Sequence, residues 1–113
     1  MTDAEEKSLL SFLSLMQRAG KLQSGEFQTE TAVKTGKALY VIVAKDASDN
    51  TRKLFSDKCS FYRVPMVVFG TKEGLGHAIG KEERSSVAII DEGFAKSFQK
   101  KMLTFENNMK ESN

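Results

Sequence analysis

The chain has 113 residues, of which 40% are hydrophobic and 28% charged, a balance typical of a folded domain and too apolar for a disordered chain. Its longest apolar run, from Ala38 to Ala44, is far shorter than the roughly 20 residues of a membrane-spanning helix. The net charge of +2 does not by itself indicate a nucleic-acid partner, and a single cysteine excludes an intramolecular disulfide.

These features predict one domain with its core over residues 5–106 and a short polar tail over residues 107–113. The N-terminus is acidic and polar, so it lacks the basic and apolar regions of a secretory signal. We therefore expect a cytoplasmic protein that has no membrane partner.

The first part of the chain is predicted to form two helices. Apolar residues recur at helical spacing over residues 5–19, namely Leu9, Phe12, Leu13, Met16 and Ala19. Gly20 ends this helix, and a short extended piece, Lys21 to Ser24, follows it. Ser24 is predicted to cap a second helix that runs from Gly25 to about Thr35, with Gly36 as its left-handed C-terminal residue.

Strands and helices are predicted to alternate over the rest of the chain. Three apolar runs are typical of strands that are buried on both faces: Ala38–Ala44, Pro65–Phe69 and Val87–Ile90. The helical stripes between and after them are Thr51, Leu54, Phe55 and Cys59; then Leu75, Ala78 and Ile79 after a Thr71 cap; then Phe94, Phe98, Met102 and Phe105 after Asp91 or Glu92. The order predicts an α/β fold, a three-layer α/β/α sandwich with a mixed, largely parallel central sheet.

The residues that often carry catalysis are isolated in this sequence. His77 has no nucleophile or metal-ligand partner, and Cys59 is expected to be a small buried side chain. The glycines of Gly74–Gly80 lack the Lys-Ser/Thr ending of a phosphate-binding loop and are expected to allow close packing. The pair Glu82–Glu83 fits a solvated turn. We therefore expect no enzyme, no metal, no cofactor and no small-molecule substrate.

The start of the second helix is the best candidate for a binding site. The stretch from Arg18 to Lys45 contains five basic and two acidic residues, a local excess of three positive charges. Gly25 would leave backbone N–H groups open to a phosphate or a base edge, although an ordinary surface helix fits the same residues. Phe27, off the face of Thr29 and Val33, could stack on an unpaired base, but the residues alone favour a hydrophobic staple.

Two segments resemble the signature regions of the ribosomal protein L7Ae/L30e family. The first runs from Gly25 to Gly36 and on through the strand Leu39–Ala44 to Ala47. The second runs from Gly70 to Gly80, with its glycines at fixed offsets, and on to Asp91. The chain is most similar to small bacterial stand-alone members. The resemblance implies an α/β/α sandwich that binds kink-turn RNA, a bent duplex with tandem sheared G·A pairs, in association with the ribosome or the translation machinery.

The resemblance also implies an RNA-binding site. Its residues, carried over by position, are Gly25, Glu26, Phe27, Gln28, Thr31, Lys34, Lys37, Lys45, Lys72, Arg84, Ser85 and Ser86. The loop Lys81–Ser86 would cover the bulged nucleotides, and we predict that it forms one contiguous surface with the start of the second helix. The archetypal members have Asn-Glu at Phe27 and Gln28, a lysine at Thr31, and an apolar covering loop.

Two functions are consistent with these observations. The first is a non-catalytic RNA-binding protein whose partners are structured ribosomal or regulatory RNA of the kink-turn type and the ribosome. The second is a ribosome-associated protein-interaction factor that kept the fold but has weak RNA recognition, since fold does not fix function.

Overall fold

Five helices alternate with four strands in the computed structural model, which describes the backbone of residues 1–111 and the side chains of residues 1–108. In chain order the elements are α1 (Asp3–Arg18), β1 (Leu22–Ser24), α2 (Glu26–Lys34), β2 (Tyr40–Val43), α3 (Asp49–Tyr62), β3 (Met66–Val68), α4 (Lys72–Ala78), β4 (Ser86–Ile89) and α5 (Glu92–Glu111). The predicted elements are therefore present, and the extended piece before α2 is a paired strand.

Side chains of the preceding residues cap most of the helices. Thr2 forms a reciprocal capping box with Glu5 at the start of α1, while Ser48 and Thr71 accept backbone N–H groups at the starts of α3 and α4. The predicted cap of α2 is wrong. Its N-cap is Gly25, which has no side chain that could accept a hydrogen bond. The Ser24 hydroxyl does not cap the helix, because it accepts a hydrogen bond from Arg84 instead.

The four strands form one mixed sheet in the order β1-β4-β2-β3. Strands β2 and β3 are parallel, whereas β4 is antiparallel to both of its neighbours, with Ser86 opposite Val43 and Ile89 opposite Leu22. The α/β class and the mixed sheet are confirmed, but the prediction of a largely parallel sheet is wrong. The reason lies in α4, which at seven residues is about 10 Å long and does not return the chain across the sheet. Strand β4 therefore starts at the end where β3 finishes.

Helices cover both faces of the sheet, which confirms the three-layer arrangement. Helices α2 and α3 pack against each other on one face, and α1 packs against α4 and α5 on the other. All four residues of β2 and of β4 are buried, as expected of strands between two helical layers. Phe98 of α5 is fully buried against the rings of Tyr40 and Phe69, and burial of such a side chain contributes roughly 1.5–3 kcal/mol.

The two ends of the sheet are distinct surfaces. At the first, which we call the Val43 end, β2 and β3 finish, β4 begins and β1 finishes at Ser24. At the second, the Leu39 end, Leu39 and Pro65 lead into β2 and β3, and β4 finishes at Ile89. Helix α2 starts at the Val43 end and runs to the Leu39 end.

Helix α5 continues past the predicted end of the core. Residues 107–111 of the expected polar tail continue this helix as far as Glu111, and Ser112 and Asn113 lie outside the described residues. The pKa of Glu5 in α1 is lowered mainly by the backbone N–H of Thr2 and to a smaller degree by Asn108, so this extension lies beside the start of the chain. Within the described part of the chain, no helix has the length and apolar character needed to cross a membrane.

Candidate functional site

The start of α2 has a backbone conformation that favours glycine. Gly25 has φ 92° and ψ 157°, in the region that side-chain-bearing residues rarely adopt. Its N–H donates to the carbonyl oxygen of Ser86 at 3.0 Å, which ties the start of α2 to β4. The strand, the sharp turn at Gly25 and the helix therefore form one rigid corner at the Val43 end.

Three backbone N–H groups at this corner point out of the fold without a protein acceptor. The first bond into α2 is donated by Thr29 to the carbonyl oxygen of Gly25 at 2.9 Å, and the helix has no capping side chain. The amides of Glu26, Phe27 and Gln28 therefore have no acceptor among the described residues. Because the positive end of the helix dipole lies here too, the site favours an anion or a hydrogen-bond acceptor.

Arg84 is anchored beside these amides. Its Nε donates to the Ser24 hydroxyl at 3.2 Å and its Nη1 to the carbonyl oxygen of Glu83 at 3.0 Å. A side chain on Gly25 would place its Cβ 4.0 Å from Arg84 Nε, so the guanidinium lies directly against the start of α2. These contacts fix a positive charge next to the unpaired amides. The remaining N–H groups of the guanidinium stay available to donate to a ligand.

The loop that carries Arg84 packs closely on α4. A Cβ on Gly76 would lie 2.6 Å from the carbonyl carbon of Glu82, so only glycine fits under this loop. The N–H of Lys81 also donates to the carbonyl oxygen of Gly76 at 2.8 Å. The predicted close packing is confirmed at Gly76. It is wrong for Gly80, which has open space around it and adopts a φ of 70°, so that this glycine allows the chain to turn after α4.

Hydrogen bonds join the segment after β2 to the same surface. The Asp46 carboxylate accepts the N–H of Lys72 at 2.8 Å, and the carbonyl oxygen of Lys72 accepts the N–H of Arg84 at 3.0 Å. Lys45 is exposed next to Asp46, and its N–H donates to Gly70 at 2.8 Å. The backbones of two further basic residues, Lys45 and Lys72, are thus held at the Val43 end.

The structure brings most of the predicted site residues to the Val43 end. They are Gly25, Glu26, Phe27, Gln28, Lys45, Lys72, Arg84 and Ser85. The predicted contiguity of the start of α2 with the loop Lys81–Ser86 is confirmed by the contacts of Arg84 with Ser24 and of Gly25 with Ser86.

The remaining predicted residues are buried or lie away from the Val43 end. The side chain of Ser86 is fully buried, so that only its carbonyl group serves the surface, and its placement among contact residues is wrong. Lys34 forms an ion pair with Glu30 at 3.5 Å and borders a groove at the Leu39 end with Tyr62. Thr31 and Lys37 line a cleft along α2.

The environment of Phe27 differs from that of the hydrophobic staple that the residues alone favour. The side chain is 75% exposed, so the ring is not packed as a hydrophobic staple and that interpretation is wrong. The buried face of α2 is formed instead by Thr29, Ala32 and Val33, as predicted. A large exposed aromatic ring in the first turn of the helix is available for stacking on a flat partner.

The basic stretch from Arg18 to Lys45 does not form one patch. Arg18 ends α1, and Lys21 accepts the N–H of Ile90 at the Leu39 end. Lys34 is paired with an acid, and of the five basic residues only Lys45 lies at the Val43 end. The positive charge near the start of α2 therefore comes from three separate segments, which contribute Lys45, Lys72 and Arg84.

Three residues of this surface were not predicted from the sequence. Ser24 orients Arg84, Asp46 holds the start of α4, and Gln23 lines the cleft along α2. The partners of Ser24 and Asp46 are 60 and 26 residues away in the chain. No local pattern indicates such pairs, although a serine directly before a helix that begins at glycine is available to bond a residue outside that helix.

The described residues offer little for catalysis. They contain no group of three or more His, Cys, Asp or Glu side chains able to hold a metal ion. Burial raises the pKa of the Cys59 thiol to about 11, which keeps it protonated and unreactive at neutral pH. The surface at the Val43 end presents hydrogen-bond donors, cations and one aromatic ring, which suit binding.

Comparison with known proteins gives consistent matches over most of the chain. The model of the ribosomal protein L7Ae/L30e/S12e/Gadd45 family matches residues 7–99. The RNA-binding protein YlxQ of Bacillus subtilis (strain 168) is 42% identical over 83 residues, which cover 74% of this chain and 83% of that protein. RNA-binding protein YlxQ of Enterococcus faecium is 38% identical over 96 residues, covering 85% and 92%. A solved structure of a protein of unknown function from Bacillus halodurans C has a TM-score of 0.79 at 40% identity, covering 82% of this chain and 94% of that one.

These matches agree with the motifs found in the sequence. The family model spans both resemblance segments, and the two YlxQ proteins are bacterial, as expected for the predicted branch. Both are named as RNA-binding proteins and not as enzymes, in agreement with the expectation of a protein without catalytic activity. The chain belongs to the ribosomal protein L7Ae/L30e/S12e/Gadd45 family.

Proposed function

We propose that this protein is a non-catalytic RNA-binding protein that docks kink-turn RNA on the Val43 end and works with the ribosome or the translation machinery. The observation that carries the proposal is the uncapped start of α2, with three unpaired backbone amides beside the anchored guanidinium of Arg84. Such a corner favours phosphate oxygens and the acceptor atoms of base edges over neutral or cationic partners.

Each group at the corner has a defined role in this proposal. Arg84, Lys45 and Lys72 contact phosphates, because they carry positive charge at three points of the surface. The amides of α2 and the carboxamide of Gln28 contact base edges in the bent duplex. The exposed ring of Phe27 stacks on an unpaired base, a contact that tolerates any base and needs no hydrogen bond.

The comparisons support the class of partner. Two relatives at 42% and 38% identity are named as RNA-binding proteins, and the family name includes ribosomal proteins. Kink-turn docking and association with the ribosome are inferred from the resemblance of the α2 and α4 segments, together with the geometry of the corner.

The experiment is a binding series on three RNAs of equal length: a kink-turn duplex, the same duplex with its G·A pairs changed to Watson–Crick pairs, and a straight duplex. We expect the kink-turn to bind at least about tenfold more tightly than either control, as one good base contact is worth roughly 1–3 kcal/mol. Arg84→Gln should weaken kink-turn binding and lower the salt slope by about one, whereas the exposed Arg18→Gln serves as its matched control. Equal binding to all three RNAs would contradict kink-turn recognition.

A second function, a ribosome-associated protein-interaction factor, is favoured by one observation. The rings of Phe61 and Tyr62 form an exposed aromatic pair with centroids 4.9 Å apart, and the Phe61 side chain is 78% exposed. Tyr62 borders the groove at the Leu39 end, away from the corner. If the binding series shows no RNA preference while Phe61→Ser abolishes co-sedimentation with ribosomes, this second function replaces the first.

A further inference from the structure

A shallow cleft runs along α2 between the helix and the edge strand β1. Its lining residues are Gln23, Gln28, Thr31, Ala32, Thr35 and Lys37. Gln28, Thr31 and Thr35 lie on one face of α2 because they are three and four residues apart. Gln23 closes the cleft from β1, and Lys37 lies beyond the C-terminal end of α2.

The polar groups of the cleft are mostly without protein partners. The carboxamides of Gln23 and Gln28 and the hydroxyl of Thr31 have no hydrogen-bond partner among the described residues. The Thr35 hydroxyl donates to the carbonyl oxygen of Thr31 at 2.8 Å, which leaves its oxygen free to accept. Two carboxamides that face one cleft can together present donors and acceptors to a planar partner with a mixed edge.

The cleft is also positively charged. No carboxylate is among its lining residues, and Lys37 has no acidic partner within the described part of the chain. Lys34 differs, since Glu30 neutralises it on another face of the same helix. The cleft therefore combines base-edge hydrogen-bonding groups with one uncompensated cation, which fits a nucleotide better than a neutral ligand.

The cleft is continuous with the corner at the Val43 end. Gln28 belongs to the first turn of α2, where the unpaired amides lie. Gln23 immediately precedes Ser24, whose hydroxyl accepts the hydrogen bond from Arg84. An RNA strand bound at the corner can thus pass into the cleft without leaving the protein surface.

We propose that this cleft binds one nucleotide of the RNA, with the carboxamides of Gln23 and Gln28 on its base edge and the ammonium of Lys37 on its phosphate. Gln23 is then a specificity-determining residue for RNA recognition. This inference rests on the proposed function, and it extends the binding surface from the corner along the outer edge of the sheet.

The test uses two variants and two matched controls in the full chain. Gln23→Ala should weaken binding to the kink-turn RNA about fivefold or more without changing the salt slope, because it removes a base contact. Lys37→Gln should weaken binding and lower the salt slope by about one, because it removes a phosphate contact. Gln99→Ala and Lys100→Gln change exposed residues of the same types outside the cleft and should bind as the native chain does.

A double-mutant cycle then identifies the nucleotide. Each unpaired base of the RNA is replaced by an abasic residue, and the loss of affinity is measured with the native chain and with Gln23→Ala. At one position the abasic loss should be at least about threefold smaller in the variant, since the contact is already gone. If the native chain selects kink-turn RNA but both cleft variants bind as their controls do, this inference fails and the proposed function stands. If the native chain shows no RNA selectivity, the proposed function itself fails.

Discussion

Gly76→Ala is expected to displace the loop Lys81–Ser86 and with it the guanidinium of Arg84. The added Cβ would lie 2.6 Å from the carbonyl carbon of Glu82 and 3.0 Å from the Cα of Glu83, and closer still to the Glu82 carbonyl oxygen. Ordinary carbon contacts are about 3.5–4.0 Å, so the backbone has to move by about 1 Å. Backbone atoms cannot turn away as a flexible side chain can.

The cost of this displacement can be estimated. Overpacking of this kind typically destabilises a fold by about 1–3 kcal/mol. The shift also strains the bonds that hold the loop in place, namely Arg84 N–H to Lys72 at 3.0 Å and Arg84 Nε to Ser24 at 3.2 Å. We therefore expect RNA affinity to fall together with stability, although Gly76 itself is buried and contacts no RNA in this account.

Urea unfolding and RNA titration of the purified variant test this expectation. Gly36→Ala is the matched control, because Gly36 has φ 79° with nothing near its added Cβ, so the control is strained by about 1–2 kcal/mol without touching the loop. The control should lose stability and keep its RNA affinity at temperatures where it is folded. Unchanged stability and unchanged amide resonances of Gly25 and Arg84 in Gly76→Ala would refute the packing argument.

Four further outcomes are expected. Gly25→Ala should lower stability by about 1–2 kcal/mol in urea unfolding, because its φ of 92° strains any residue with a Cβ; an unchanged midpoint would show that the corner relaxes. Phe27→Ala should weaken binding to RNA by roughly 1–3 kcal/mol while stability is kept, as its ring is exposed, and equal loss for a fully paired duplex would argue against stacking. The double change Gln28→Glu with Thr31→Lys should tighten kink-turn binding by about tenfold or more and leave the G·A-disrupted control unchanged, because it adds a charged acceptor and a donor. Finally, since the pKa of Cys59 is raised to about 11 by burial, the unfolded chain loses this proton first, so stability should fall above about pH 9 more steeply than in Cys59→Ala.

The elements were predictable because their signals are local. The apolar run that contains β2 has the composition of a strand buried on both faces, and all four residues of β2 are buried. Thr71 before Gly74 indicated the cap of α4, and its hydroxyl accepts the N–H of Gly74 at 2.9 Å. Gly36 likewise has the left-handed φ that its position after α2 required.

The direction of β4 was not predictable by the same means. Strand–helix alternation normally implies parallel crossovers, but that inference assumes a helix long enough to cross the sheet, and α4 has seven residues. The α2 motif predicted where the site lies, but the sequence did not predict which basic residues surround it. The charge count over residues 18–45 treated neighbours in sequence as neighbours in space, and the structure separates Lys21 from Lys45 by the length of the sheet.

We propose that RNA binds at the Val43 end through the corner formed by the start of α2 and Arg84. The most direct test is a titration of the ¹⁵N-labelled protein with a kink-turn RNA, in which the chemical shifts of the backbone amides are monitored by NMR. We predict that the largest shifts occur at Phe27, Gln28, Lys72 and Arg84, while Leu39 and Phe61 at the other end stay unchanged. Shifts concentrated at Leu39 and Phe61, with the resonances of the corner unaffected, would contradict the account.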